Sequence, residues 1–358
     1  MKKLVDCGGV KIGGQEPVSI QSMTNTKTAD VKATVHQIRQ LEEAGCQIVR
    51  LAVPDMEAAG AIRQIKAKTA IPIVADIHFD YRLALEAIRS GADKIRINPG
   101  NIGSEEGISK IVKLAAERQI PIRVGVNSGS LERDILAKYD GRVTAEGLAE
   151  SVLRNAALLE RHGFDQMVLS LKASDVRMND QAYRIVDQRS DYPLHIGVTE
   201  AGTPSMGKIK SAVGIGALLL AGIGDTMRVS LTADPVEEVL FAKKLLTAAG
   251  LRREEIEIIS CPTCGRTQVD LAGIAKSVEE RVSTLQQSGV RDLKIAVMGC
   301  AVNGPGEAKD ADIGVACGKG AGVLFAGGKI VRTVKEEAIV DEIVKMAVEY
   351  DKNFGRLD

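Results

Sequence analysis

Short apolar runs alternate with longer amphipathic stretches over residues 1–250 of this 358-residue chain. Eight runs are rich in aliphatic and β-branched residues: VSIQSM (18–23), QIVRLAV (47–53), PIVADI (72–77), KIRIN (94–98), PIRVGVN (121–127), MVLSLK (167–172), LHIGVT (194–199) and MRVSLT (227–232). Runs of this kind are typical of parallel strands that are buried on both faces. The pattern therefore predicts eight parallel strands.

The stretches between these runs have helical periodicity. DVKATVHQIRQLEEAG spaces its apolar residues for one helix face, with Asp30 as the predicted N-cap and Gly45 as the stop. DYRLALEAIRSG repeats this arrangement with Asp80 and Gly91. Eight strand–helix units in about 250 residues favour a closed (β/α)8 barrel, an α/β fold, over an open doubly wound sheet. We therefore expect residues 1–250 to form this barrel.

The pattern changes near residue 255. Strands in EIEIIS (255–260), LKIAVMG and GVLFAGG, a helix over about residues 269–288, and a final helix over VKEEAIVDEIVKMAVEY (334–350) are expected. Because these elements do not repeat the strand–helix unit, residues 255–358 are predicted to form a separate, smaller α+β domain.

Composition excludes several kinds of partner. Lys+Arg and Asp+Glu are both 47 and there is no Trp, so no nucleic-acid partner is expected. The longest apolar run, SAVGIGALLLAGIG, has 14 residues and is predicted to be a buried helix rather than a membrane span. No signal-peptide pattern follows the first lysines, which favours a cytoplasmic protein. Cysteines are then ligands or core thiols rather than disulfides, and Cys7 and Cys46 of the barrel half are expected to be inert core or free thiols.

Five of the predicted strands carry a basic residue within or at the end of an otherwise apolar run. They are Arg50, Arg96, Arg123, Lys172 and Arg228. Each could pair with an inward acid or lie outside the barrel, because an unpaired buried charge is costly. Together, at the strand ends that form the mouth of a barrel, they favour a multiply charged anion such as a diphosphate.

Other polar residues accompany the same strands: Asp76, His78, Asn98, Asn127, Glu200 and Ser230. Asn, Asp and Ser also favour strand-to-helix turns, and that interpretation is a serious alternative for Asn98. Glu200 differs, since a carboxylate among cations suits a proton donor, a hydroxyl acceptor or a counter-ion. His36 and His162 lie in predicted helices and are expected to have surface or packing roles.

Three cysteines of the second domain indicate a metal centre. CPTCGRT places Cys261 and Cys264 in one turn, and GCAVNGPGE supplies Cys300. Cys317 would complete a structural zinc site with four thiolates. Glu307 would instead add one exchangeable oxygen ligand to three thiolates, which suits an iron–sulfur cluster.

These motifs resemble one known family. CPTCGRT and GCAVNGPGE at this separation, preceded by RINPGN, RVGVNSGS and RVSLTADP, resemble the flavodoxin-dependent 4-hydroxy-3-methylbut-2-enyl diphosphate synthases of isoprenoid biosynthesis, in their two-domain bacterial form. The resemblance covers nearly the whole chain. It implies a TIM barrel followed by an iron–sulfur domain like those of sulfite and nitrite reductases. It also implies one 4Fe-4S cluster on Cys261, Cys264, Cys300 and Glu307.

The resemblance further implies the reaction. 2-C-Methyl-D-erythritol 2,4-cyclodiphosphate would be opened reductively to 4-hydroxy-3-methylbut-2-enyl diphosphate and water, with two electrons from flavodoxin or ferredoxin. Glu200 is our candidate for the proton donor, and Asn303 lies beside the cluster in the family's motif. The diphosphate would lie on Arg50, Arg96, Arg123, Lys172 and Ser230, with the carbon skeleton among Asp76, His78, Asn98, Asn127 and Glu200.

Two other classes of protein remain as alternatives. A barrel transferase acting on a phosphorylated substrate, with a structural zinc domain, would be colourless. A non-catalytic iron–sulfur carrier would leave the five basic residues at the strand ends without a role.

The direction of the chain predicts how the two domains are used. The helix after the eighth strand runs away from the mouth of the barrel, and about six residues, spanning roughly 20 Å, then lead to the second domain. This length is too short to return comfortably to the same mouth. We therefore expect a homodimer in which the cluster domain of one chain covers the barrel of the other.

Overall fold

A computed structural model describes residues 1–102, 104–252, 256–287, 292–300 and 310–354. The chain divides into two compact units, Met1–Ala249 and Gly250–Asp358.

The first unit contains the predicted parallel barrel. Its strands are β3 (Ser19–Met23), β4 (Ile48–Ala52), β5 (Ile73–Asp76), β6 (Lys94–Ile97), β7 (Ile122–Asn127), β8 (Met167–Lys172), β9 (His195–Ile196) and β10 (Thr226–Met227). They are ordered β8-β7-β6-β5-β4-β3-β10-β9, and a parallel bridge between Leu169 and Leu194 joins the two ends of the sheet. The fold prediction is therefore confirmed. β9 and β10 are shorter than predicted, and their runs continue towards the mouth as loops.

Helices connect the strands and cover the outside of the barrel: α1 (Val31–Glu43), α2 (Met56–Lys66), α3 (Tyr81–Arg89), α4 (Glu105–Arg118), α5 (Arg133–Lys138), α6 (Ala145–Arg161), α7 (Val176–Arg189), α8 (Pro204–Leu220) and α9 (Pro235–Ala248). Short 3₁₀ helices lie at Pro99–Asn101 and Ser128–Ser130. The predicted N-caps are confirmed, since Asp30 accepts from the Ala33 amide at 3.0 Å and Asp80 accepts from the Arg82 amide at 2.9 Å.

Helix α8 corrects the prediction of a fully buried helix. One face packs on the barrel through residues such as Ile215 and Leu218. The other face exposes an apolar stripe of Met206, Ile209 and Val213. The helix therefore has apolar residues on both faces, although only one face is covered. In the described part of the chain, no helix is both long enough and apolar enough to span a bilayer.

An N-terminal hairpin, which the sequence analysis did not predict, closes the floor of the barrel. Its strands are β1 (Val5–Cys7) and β2 (Val10–Ile12), paired antiparallel. Their buried side chains pack with Ile48, Val74 and Val168 from the barrel strands. Cys7 and Cys46 are both buried, as expected for core thiols.

The second unit contains a five-stranded sheet and two described helices. The strands, in the order in which they pair, are β11 (Ile256–Ser260), β12 (Leu293–Met298), β13 (Ile313–Gly318), β14 (Ala321–Ala326) and β15 (Lys329–Lys335). The first three run parallel and the last two pair antiparallel. Helices α10 (Leu271–Gln287) and α11 (Ile339–Phe354) complete the unit. The predicted smaller α+β domain is confirmed.

The predicted final helix began too early. Val334 and Lys335 lie in β15, where Val334 is paired with Gly322 of β14, and the helix begins at Ile339. The strand pairing partly buries Val334 against the core of the second unit. This long-range contact decides the local structure of a segment whose spacing also suits a helix.

Candidate active site

The interior of the barrel is polar, whereas such barrels are ordinarily filled by branched aliphatic side chains. The strand register places inward side chains in levels of four, taken from alternate strands. From the floor upward, we define level 1 as Ile48, Lys94, Val168 and Thr226; level 2 as Gln21, Val74, Arg123 and His195; level 3 as Arg50, Arg96, Ser170 and Arg228; and level 4 as Met23, Asp76, Gly125 and Gly197. Basic side chains therefore occupy three successive levels.

Asp76, at the end of β5, is the acid around which several of these bases gather. Arg96 Nη1 donates to Asp76 Oδ1 at 3.2 Å, and His78 Nε2 lies 3.3 Å from Asp76 Oδ2. Arg50 Nε lies 4.0 Å from the same carboxylate. Burial alone would raise the pKa of Asp76, but Arg50, the His78 contact and Arg96 hold that pKa well below its usual range. Asp76 is therefore a fixed negative charge that orients its basic neighbours.

Arg50 has a thioether as its nearest polar partner. Its Nε and Nη2 atoms donate to Met23 Sδ at 3.1 and 2.9 Å, and a thioether is a weak acceptor. Burial lowers the pKa of Arg50 to about 10, so the guanidinium remains charged at neutral pH. Anionic oxygens would be far stronger partners for this group than sulfur.

Arg123 and Lys172 are the most deeply buried of the predicted cations that lack a close acid. Arg123 is 1% exposed, and its Nε and Nη1 atoms have no hydrogen-bond partner among the described residues. Burial, followed by the charges of Arg50 and Arg96, lowers the pKa of Arg123 well below its usual value. Burial and the surrounding arginines do the same to the pKa of Lys172. An anion beside Arg123 and Lys172 would favour the charged forms of both side chains and so raise their pKa values again.

Arg228 is paired with a buried acid, which is the alternative that the sequence analysis left open for each of the five bases. Its Nε and Nη2 atoms donate to the Glu238 carboxylate at 3.1 and 3.2 Å. Glu238 is a buried residue of α9 that also accepts from Ser22 Oγ and from the Leu231 amide. The sequence analysis missed this acid, although it lies four residues before buried Ala242 and seven before Leu245 on the covered face of α9. Arg228 thus has its own counter-ion.

Two glycines make room for the cations, and both were missed in the sequence. A methyl group at Gly125 would lie 2.6 Å from Arg96 Nε. A methyl group at Gly197 would lie 2.8 Å from Lys172 Nζ. Real side-chain carbons do not approach other atoms so closely, so the placement of both bases depends on the absence of a side chain at these positions.

The predicted polar residues have different environments. Asn98 Oδ1 accepts from the Gly100 amide at 3.2 Å, as its turn interpretation predicts, whereas Asn98 Nδ2 has no partner in the described parts of the chain. Asn127 ends β7 beside Lys172, with which it is paired in register. Ser230 follows β10 and is half-buried.

His78 and Glu200 lie at more accessible positions. The His78 side chain is 50% exposed although it touches buried Asp76. Glu200 is exposed, and its backbone is left-handed with a φ of 51°, a conformation uncommon for a residue with a side chain. Of the other predicted histidines, His36 is exposed on α1, and His162 follows α6 with Nε2 3.8 Å from Glu105 Oε1.

Three cysteines of the second unit, Cys261, Cys264 and Cys300, lie in two loops. Cys261 Sγ accepts from the Gly299 amide at 3.1 Å, which brings the first loop next to the residue before Cys300. Cys264 is exposed, and hydrogen bonds from Arg266 lower its pKa, which favours the thiolate that a metal requires. The loop of Cys261 and Cys264 therefore lies beside the residue that precedes Cys300.

Cys317 has the opposite character. It is fully buried in the core of the sheet, and burial raises its pKa to about 11. A neutral core thiol is a poor metal ligand, which disfavours a zinc site of four cysteines. No group of three metal-ligating side chains is assembled among the residues that the structure describes. Asn303 and Glu307 lie outside the described residues.

Comparison with known proteins identifies the family. The model of the GcpE TIM-barrel domain matches residues 2–243, and that of the GcpE protein C-terminal domain matches residues 257–349. The chain is 58% identical over 342 residues to the 4-hydroxy-3-methylbut-2-en-1-yl diphosphate synthase (flavodoxin) of Clostridium perfringens, a match that covers 96% of this chain and 97% of that one. It is 57% identical over 348 residues to the protein of the same name from Caldanaerobacter subterraneus subsp. tengcongensis, with the same coverage of both chains, 96% and 97%.

Among solved structures, dihydropteroate synthase of Yersinia pestis is similar with a TM-score of 0.50 at 11% identity, over 70% of this chain and 98% of that chain. That similarity shows the barrel fold alone. The two family models together match most of the chain, and the relatives match it at more than half identity. This chain therefore belongs to the GcpE family.

Proposed function

We propose that this chain is an iron–sulfur oxidoreductase that opens 2-C-methyl-D-erythritol 2,4-cyclodiphosphate reductively to 4-hydroxy-3-methylbut-2-enyl diphosphate and water. The observation that carries the proposal is the polar barrel interior. Arg50 and Arg96 lie beside Asp76 there, whereas Arg123 and Lys172 have no acid within ion-pair distance in the described part of the chain. Relatives that are 57–58% identical to this chain carry the name of the synthase. Residues 1–250 would bind the substrate, and residues 255–358 would hold one 4Fe-4S cluster.

The barrel residues bind and orient the diphosphate. Four bases against one acid leave an excess of positive charge that a diphosphate balances. Asp76 and Gly125 fix the Arg96 guanidinium through bonds of 3.2 and 3.3 Å, so little reorganisation is needed when the substrate arrives. Arg228 is already paired with Glu238, and its role in this scheme is to line the site rather than to supply free charge.

The same bases stabilise charge that develops during the reaction. Opening the ring turns one bridging oxygen into a terminal oxygen of the diphosphate, which therefore gains negative charge. Fixed guanidinium groups in a water-excluded barrel stabilise that charge more strongly than bulk water would. Two electrons and one proton balance the conversion of the cyclic dianion into an open trianion with loss of water.

Several polar residues would handle the carbon skeleton and the departing hydroxyl. Asn98 Nδ2 is a buried donor with no partner among the described residues, which suits a substrate oxygen. Glu200 is accessible, and we assign it the proton that turns the hydroxyl into water. Asp76, His78, Asn127 and Ser230 complete the set.

Cys261, Cys264, Cys300 and Glu307 would hold the cluster, with Asn303 beside it. When bound, such a cluster supplies electrons one at a time and offers an iron with an exchangeable ligand. The chain's own contribution is a thiolate-favouring environment at Cys264 and a loop contact that holds Cys261 beside Gly299.

We also propose a cytoplasmic homodimer that takes its electrons from flavodoxin, with ferredoxin as the alternative donor. In this dimer the cluster domain of one chain covers the barrel of the other. The exposed apolar stripe of α8, Met206, Ile209 and Val213, supports an association between chains, because monomers rarely leave such faces uncovered. Coexpression of Arg96→Ala and Cys264→Ala chains tests the shared site. The mixed dimer should regain activity, and an inactive mixed dimer whose parents keep their undamaged domains contradicts it.

Anaerobic purification tests the function against the zinc transferase alternative. We expect about four iron atoms per chain, brown protein and turnover of the cyclic diphosphate with reduced flavodoxin. Stoichiometric zinc with no iron, or iron-loaded protein that leaves the cyclic diphosphate intact with either donor, would overturn the proposal.

A further inference from the structure

Below the proposed substrate site, the barrel contains a group of buried polar atoms that the reaction does not use. Lys94 and His195 are both 0% exposed, and Gln21 is 1% exposed. His195 Nε2 and both side-chain amide atoms of Gln21 have no hydrogen-bond partner among the described residues, and Lys94 Nζ has only the Cys7 thiol beside it. Arg123 Nε and Nη1 share this property. Since buried polar atoms are nearly always paired, so many in one place indicate a ligand.

The strand register brings these atoms to one region of the barrel axis. Gln21, Arg123 and His195 share level 2, where Gln21 on β3 lies opposite Arg123 on β7. Lys94 lies one level lower on β6, the strand next to β7. His195 Nδ1 is 3.4 Å from Thr226 Oγ1, which leaves Nε2 directed to the interior.

This region is positively charged and has no acid of its own. Besides Arg228, levels 1 to 3 contain the bases Lys94, Arg123, Arg50 and Arg96 but no aspartate or glutamate. Burial lowers the pKa of His195 well below its usual value, so this imidazole is neutral. Asp93, next to Lys94 in sequence, faces the other way and pairs with Lys66 at 2.6 Å. Burial raises the pKa of Cys7, so this thiol near Lys94 is neutral and provides no counter-charge.

The region is closed to solvent on both sides. The N-terminal hairpin closes the region from below, where it packs against Ile48, Val74 and Val168 of the same two levels. Arg50, Arg96 and Arg228 of level 3 lie above it. A ligand here must therefore be small, and it is distinct from a substrate that enters through the mouth.

Donors exceed acceptors in this region. Arg123, Lys94 and the Gln21 amide nitrogen present only N–H groups. The acceptors among the buried atoms without a partner here are Gln21 Oε1, the Ser19 hydroxyl and, in the tautomer with its proton on Nδ1, His195 Nε2. A water molecule could bond to these acceptors, but it would leave the two buried positive charges uncompensated, whereas a monovalent anion needs donors alone and neutralises charge. We propose that levels 1 and 2 of the barrel bind one small monovalent anion of halide size, held by Lys94 Nζ, Arg123 Nη1 and Gln21 Nε2.

The anion would serve the fold and the substrate site together. It would neutralise the charge of two fully buried bases, whose burial without a counter-ion is expensive. It would also anchor the lower side of the Arg123 guanidinium while the substrate meets its upper side. The proposal does not depend on the reaction, because the anion site would exist in a barrel with any phosphorylated substrate.

Bromide provides the direct test. Crystals of the cluster-loaded protein in sodium bromide, measured at the bromine absorption edge, should show an anomalous peak within hydrogen-bond distance of Lys94 Nζ and Arg123 Nη1. Matched crystals in sodium gluconate, whose anion is too large, should show none. Ordered water without an anomalous signal at this position overturns the proposal. A bromide peak that lies only among Arg50, Arg96 and Lys172, and that disappears when inorganic pyrophosphate is added, also overturns the proposal.

Variants then test the ligands. Lys94→Met keeps the length of the side chain but removes its charge, and it should lower the bromide occupancy at least tenfold. Ile38→Met, at a fully buried position of α1 outside the barrel interior, changes only apolar packing and should keep the peak. If Lys94→Met does not fold, Gln21→Leu provides a second ligand variant with the same expected loss. Bromide occupancy that equals wild type in either folded ligand variant would show that these side chains do not bind the anion.

Discussion

Replacing Gly125 by alanine places a methyl group where the Arg96 side chain lies. The added carbon would be 2.6 Å from Arg96 Nε, 3.2 Å from Arg96 Nη2 and 3.1 Å from Ser170 Oγ. The backbone of Gly125 does not require glycine, because it is not among the positive-φ residues. The clash falls on the end of a long side chain, so the fold should survive while Arg96 moves.

The expected fall in kcat/KM follows from the contacts that Arg96 would lose. Its bonds to Asp76 and to the Gly125 carbonyl are 3.2 and 3.3 Å long, and both are buried. If Arg96 binds the diphosphate, its displacement forfeits a charge-assisted hydrogen bond worth about 1.5–3 kcal/mol. We therefore expect kcat/KM to fall about 10- to 150-fold, since each 1.4 kcal/mol corresponds to about tenfold.

Steady-state kinetics with the cyclic diphosphate, on protein whose cluster spectrum matches wild type, measures this effect. Gly60→Ala is the matched control, because an added methyl group there would have nothing within 4 Å. A double-mutant cycle separates the cause from a general disturbance. In an Arg96→Ala background, Gly125→Ala should cost almost nothing. Additive losses, or wild-type kcat/KM in Gly125→Ala, would refute the placement of Arg96 at the substrate.

Three further predictions concern the cluster, a buried ion pair and a buried acid. Cys264→Ser should lose the cluster, measured as bound iron and absorption at roughly 400 nm, whereas Glu307→Ala should keep part of it without turnover; normal rates in Glu307→Ala would remove Glu307 from the mechanism. Glu238→Ala strands the buried Arg228 charge and should cost about 3–5 kcal/mol in urea unfolding. Glu237→Ala, which breaks only an exposed pair with Lys208, should cost at most about 1 kcal/mol, and equal costs would contradict this account. The pKa of Asp76 is lower in the folded chain than in the unfolded chain, so the ionised carboxylate stabilises the fold at pH values above the ordinary aspartate pKa of about 3.9. This contribution is lost as the pH falls below that value and through the lowered pKa of the folded chain. The difference in unfolding free energy between wild type and Asp76→Asn should therefore stay constant between about pH 8 and 5 and shrink below about pH 4; a constant difference down to pH 3 would be inconsistent with an ionised, paired Asp76.

The barrel could be predicted from the sequence because its signal is local. Each strand is an apolar run, and each helix has its own periodicity and cap, as at Asp30 and Asp80. The N-terminal hairpin also had a local signal, since Val5 and Cys7 alternate with polar residues before a Gly-Gly turn, and this signal was overlooked. The start of the last helix was wrong because the pairing of β15 with β14 overrides the helical spacing of Val334.

The detailed site could be predicted only in part, because its decisive contacts are distant in sequence. The spacing of charged residues located Arg228 but not its partner Glu238, which comes from the next helix. No local pattern shows that Gly125 and Gly197 make room for Arg96 and Lys172. The levels of the barrel interior likewise follow from strand register, which sequence spacing does not specify.

The most direct test of the central claim is phosphorus NMR of the reaction under anaerobic conditions. Cluster-loaded protein given the cyclic diphosphate and a counted supply of electrons should convert the ring signals into those of a linear diphosphate, with one product for every two electrons. Arg96→Ala with an intact cluster spectrum should form product about 10- to 150-fold more slowly. A ring that remains intact with fully loaded wild-type protein, or that opens without consuming electrons, would contradict the account.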